Sequence, residues 1–86
     1  MESYSEYLDR TENIIDRYSK LEKEAEVFKL AINGLNIKII QILESMENTY
    51  DEFQLKQLDL QVDKMVEDVE SLSKMYYLCL EKLKEL

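Results

Sequence analysis

The chain is 86 residues long, 45% hydrophobic and 35% charged, with eleven Lys and Arg against nineteen Asp and Glu and a formal net charge of −8. That balance repels phosphate backbones and anionic lipid, which excludes a basic-patch reader of nucleic acid and a membrane-surface protein. No His and a single Cys remove the usual zinc sets, the Cys-His and Ser-His-Asp nucleophiles and any internal disulfide. One domain is expected, with a core so near the lower size limit that added burial against a partner or a second copy is expected too. No early apolar run reads as a signal peptide, and no uncharged stretch approaches the roughly 20 residues that span a bilayer. A soluble, cytoplasmic setting follows as the expectation.

Apolar residues recur at threes and fours with almost no turn punctuation, so the expected class is all-α. In the first half Tyr4, Thr11, Tyr18, Ala25, Ile32, Ile39 and Met46 share one heptad position, and Tyr7, Ile14, Leu21, Phe28, Leu35 and Ile42 share the other. This predicts a helix over about 4–46, opened by a capping box of Ser3 with Glu6. Glu47, Asn48 and Thr49 predict a turn at about 47–49, and a second box, Thr49 with Glu52, predicts a helix over about 50–86. There Leu55, Val62, Val69, Tyr76 and Leu83 form one seam position, and Leu58, Met65, Leu72, Cys79 and Leu86 the other. The architecture is an antiparallel helical hairpin or small helix bundle, because apolar extras beside the seams (Ile15, Ile40, Leu43, Val66, Met75, Leu80) make the stripes wider than a two-stranded seam needs. Asn33 and Gly34 are poor helix formers, and a mid-helix Gly costs about 1 kcal/mol relative to Ala. The alternative is therefore a three-helix bundle broken near Gly34. Across the hairpin Phe28, Leu35 and Ile39 should face Leu58, Met65 and Leu72, and Leu72→Ala should cost about 2 to 5 kcal/mol.

The carboxylates fall mostly off the seams, and Asp16 to Lys20, Glu52 to Lys56 and Glu70 to Lys74 have the spacing of helix-stabilising pairs. They read as a solvated face. A slender hairpin without His offers no shaped, water-excluding pocket, so no catalysis, cofactor or metal is expected. Cys79 lies in the second seam and reads as a small core residue. Tyr50, in the turn, and Tyr77, just off the seam, are candidate partner contacts.

Lys20, Leu21, Glu22, Lys23 and Glu24, followed after three residues by Phe28, then Ile39 and Ile42, then Tyr50-Asp51 opening the second helix, resemble tubulin-binding cofactor A, a family of small helical chaperones. Met65, Val66, Val69, Tyr77, Leu80 and Leu83 continue the likeness, which covers roughly residues 20 to 84. The resemblance implies a cytoskeleton-associated chaperone that holds β-tubulin folding intermediates without ATP hydrolysis. It implies contacts through Lys23, Glu24, Tyr50, Asp51 and Tyr77, and Lys20, Lys23 and Lys29 as the basic patch for an acidic client. Where family members have a Pro in the second helix this chain has Glu67, and where they continue into a third helix it stops at Leu86, so the likeness is to a short form lacking the third helix, whose uncovered apolar surface leaves a homodimer or another partner as alternatives. Two other functions fit the same pattern. One is a small coiled-coil subunit of a larger cytoskeletal, kinetochore or tethering assembly; the other is a chaperone for needle subunits of bacterial type III secretion.

Overall fold

A computed structural model describes residues 3–86. It contains two helices, α1 (Tyr4–Glu47) and α2 (Glu52–Glu85), packed against each other as an antiparallel hairpin. The Cα atoms fill a rod 74 Å long and 14 Å across in both other directions. Its radius of gyration of 20.8 Å far exceeds the ~12 Å of a compact chain of this length.

Each helix begins where a side chain satisfies its first backbone donors. At Ser3 the hydroxyl accepts from the Glu6 N–H at 3.2 Å while the Glu6 carboxylate accepts from the Ser3 N–H at 3.3 Å, which is the expected capping box. The start of α2 differs from the expectation. Asp51, not Thr49, is the N-cap: its Oδ1 accepts from the N–H of Phe53 at 2.8 Å and of Gln54 at 3.3 Å. Thr49 is taken up by the helix before it, donating its hydroxyl to the Ser45 carbonyl at 2.7 Å. The connection is therefore residues 48–51 and α2 starts two residues later than its pattern predicts.

The break near Gly34 does not occur: α1 runs unbroken for 44 residues. Gly34 has no positive φ, and its flanking seam residues Ile32 and Leu35 are both half-buried, so α2 braces the helix on either side of the weak point.

The seam itself follows the heptads. Leu21, Ala25, Phe28, Ile32, Leu35, Ile39, Ile42 and Met46 of α1 are covered wholly or partly, as are Leu55, Leu58, Val62, Met65, Val69, Leu72, Tyr76, Cys79 and Leu83 of α2. Only Ala25 and Cys79, each 6% exposed, are fully buried among the described residues. Two helices cannot enclose a large side chain, because solvent reaches the seam from both flanks. Small residues lying under their neighbours are the ones that disappear.

Depressions shared across the hairpin set its register. Glu24 and Phe28 line one with Met75, Cys79 and Lys82, and Arg17 and Leu21 line another with Lys82, Glu85 and Leu86. Phe28 thus borders a depression with Met75 and Cys79. α1 has 44 residues against 34 in α2, an excess of about 15 Å at 1.5 Å per residue.

Candidate protein-interaction surfaces

The length difference leaves about the first quarter of α1 as an arm on which the seam pattern continues without a facing helix, and Arg17 already borders the last residues of α2. Tyr4 is 77% exposed, Ile15 60%, and Tyr7, Leu8, Ile14 and Tyr18 are also exposed. The heptad positions of Tyr4, Tyr7, Ile14 and Tyr18 are the ones that farther along α1 meet α2, so the expected seam role of Tyr4, Tyr7 and Tyr18 is unfilled within the described residues. Local chemistry holds the arm helical: the Arg10 guanidinium lies 5.8 Å from the centre of the Tyr7 ring, and the Thr11 hydroxyl donates to the Tyr7 carbonyl at 2.9 Å.

A second set of exposed apolar residues runs along α1 outside the seam. Val27, Leu30, Ile37, Ile40 and Leu43 are all exposed, at 47 to 63%. Between Glu26 and Glu44 the sequence holds no Asp or Glu at all, and its only charges are Lys29 and Lys38. A helix apolar on two faces is one that belongs between two layers. Of this strip the seam-based reading picked out only Ile40 and Leu43; the acid-free interval is the sequence signal that marks the rest.

The residues expected to contact a partner do not form one patch. Lys20, Lys23 and Glu24 come together with Val27 and Phe28 around a shallow, mostly apolar depression. Glu24 also borders the two grooves shared with Lys82 of α2, which places it at the hairpin joint. Lys29 is exposed on another side of α1. Tyr50 is 92% exposed in the turn, separated from Lys23 by about 40 Å of helix. Asp51 beside it is committed to capping α2. Tyr77, 63% exposed, stands edge-on to Tyr76 with ring centres 5.8 Å apart, on the flank of α2.

The depressions on the described surface are open to solvent and lined by groups that also lie on exposed helix faces. No described helix is long and apolar enough to cross a membrane. In comparisons with known proteins, no family model, curated protein or solved structure matches the chain.

Proposed function

We propose that this chain is a non-enzymatic protein-binding hairpin that grips a partner with the aromatic arm of α1. The observation that carries this reading is the continuation of the seam, exposed, from Tyr18 back to Tyr4. Tyrosines and isoleucines repeated at heptad spacing offer large contact area at low entropy cost, and Tyr is among the residues that dominate binding energy at interfaces. α2 holds the rest of α1 straight, so the arm is presented as a preformed helix rather than ordered at the moment of binding.

The client we propose is β-tubulin, held stoichiometrically during folding, on the strength of the Lys20 to Phe28 and Tyr50-Asp51 resemblance. Purified chain incubated with newly synthesised β-tubulin should retain it in a soluble complex. Tyr7→Ala with Tyr18→Ala should weaken that complex more than tenfold, which is about 1.4 kcal/mol. Helicity should be kept, since both side chains are about half exposed in the hairpin.

The second reading is a coiled-coil subunit of a larger cytoskeletal, kinetochore or tethering assembly, favoured by the heptad register of the arm, which is the pattern another helix packs against. If wild-type chain retains no β-tubulin, the client reading fails. The same tyrosine variant, tested for loss of partners that copurify from the native host, then decides the assembly reading.

A further inference from the structure

The outer strip of α1 carries a pattern that the arm and the seam do not explain. Outward-facing residues occur in the order Lys20, Lys23, Glu26 and Val27, Leu30, Asn33 and Gly34, Ile37, Ile40 and Gln41, Glu44, Glu47, with Lys20 also bordering the groove shared with the end of α2. All are exposed. Read from the middle, the two halves have the same spacing and opposite ends: two lysines at one, two glutamates at the other, Glu26 answering Gln41 and aliphatic residues answering aliphatic ones between, and the smallest residue at the centre. A helix surface of this kind is complementary to itself when turned end for end.

We propose that this strip binds a second copy of the chain, α1 against α1 and antiparallel, about a two-fold axis beside Asn33 and Gly34. In that register Leu30 of each copy meets Ile37 of the other, Val27 meets Ile40, Lys23 meets Glu44 and Lys20 meets Glu47. Each contact occurs twice, as an isologous interface requires. The contact strip is about 40 Å long and, at half the helix circumference, about 15 Å wide, so the pair buries on the order of 1,200 Å² in total, the lower bound for specific interfaces.

Two features that are costs within one copy gain a reason in the pair. Glu44 and Glu47 stand in the last turns of α1, where the helix dipole disfavours negative charge, and that last turn has no basic residue. The pairing brings Lys23 and Lys20 of the second copy to them. Gly34 weakens a helix interior, yet nothing lies within 4 Å of where its Cβ would be. In the hairpin alone it fills no need for space; at the crossing of two helices it gives the facing Asn33 room.

The strip is separate from the arm used in the proposed partner binding, and the inference goes beyond that reading. Its test needs only the purified chain, so failure to capture tubulin leaves it untouched. Sedimentation equilibrium at low ionic strength would compare the wild type with three variants. Lys20→Glu with Lys23→Glu, two reversals of two units each, takes the formal charge from −8 to −12; Glu44→Lys with Glu47→Lys takes it to −4; the four together restore −8. The wild type should be a dimer, each double variant should dissociate at least tenfold more readily, and the fourfold variant should recover. Net charge alone predicts the opposite for the −4 variant, which would then associate more tightly than the wild type. An equimolar mixture of the two double variants should form a heterodimer. Leu30→Ser with Ile37→Ser, both exposed in the hairpin, should give a helical monomer. A wild type that stays monomeric at about 100 µM, or a dimer indifferent to the reversals, or a fourfold variant no stronger than the doubles, overturns the proposal and leaves the strip to a different protein.

Discussion

Truncating Leu72 to Ala measures how deep the seam of a two-helix rod is. Removing three carbons from a fully buried site loses about 2.4 kcal/mol of transfer free energy at ~0.8 kcal/mol per carbon, and a residual cavity raises the total toward the upper part of the ~2–5 kcal/mol range. Leu72 is only half-buried, and the rod is 14 Å across, so neighbouring side chains and water can take up the vacated space. Both effects lower the cost, to about 1.5 kcal/mol, below what the sequence pattern alone leads one to expect. Urea unfolding followed by far-ultraviolet circular dichroism at low micromolar concentration reads this directly. With an m-value of about 1 kcal/mol/M the midpoint should fall by about 1.5 M at unchanged slope. A loss under about 0.5 kcal/mol would put Leu72 on the surface. A loss above about 3 kcal/mol would refute the reasoning from the other side, because only a third covering element makes the site that dry.

Gly34→Ala should stabilise the dilute chain by about 1 kcal/mol and raise its melting temperature by roughly 4 to 8 °C, since the helix passes through this position with ordinary φ and open space; thermal denaturation checks it, and a fall would mean the backbone there is strained. Asp51→Ala should cost about 1 kcal/mol through loss of the cap, whereas Thr49→Ala should change stability by less than about 0.5 kcal/mol. Equal effects of the two in urea unfolding would return the capping role to Thr49.

The hairpin was legible because periodicity alone decides which residues can meet. From Leu21 to Met46 and from Leu55 to Leu83 the heptad positions are the covered ones, and Ala25 and Cys79 are buried as their small size at seam positions requires. The start of α2 was less legible. Thr49 and Asp51 are both good N-cap residues two positions apart, and the choice depended on a rival acceptor, the Ser45 carbonyl, that draws the Thr49 hydroxyl back to α1. The helix expected over about 4–46 runs through Gly34, and the alternative break is absent, because helix propensity is local whereas Ile32 and Leu35 tie the helix to α2 on both sides of it.

The interaction surfaces were the least legible part, because heptad periodicity marks the seam and says nothing of exposed apolar residues outside it. Lys23 lies near the middle of α1 and Tyr50 in the connection past its end, about 40 Å of helix away. Asp51 is consumed by its own backbone. What separates the two helices physically is the chemistry of their outer sides. α2 exposes Asp63, Glu67, Glu70 and Lys74 to solvent across its middle, a surface that water solvates well. α1 over the same length exposes Val27, Leu30, Ile37 and Ile40. Burying the α1 strip against a second copy places the two α1 helices inside and the two α2 helices outside, in a flat array of four. Every strongly charged middle segment then faces water and every acid-free one faces protein. A reversed arrangement with α2 inside would bury three carboxylates of this face per copy, Asp63, Glu67 and Glu70, against the one Lys74, at a cost of several kcal/mol for each charge left unpaired.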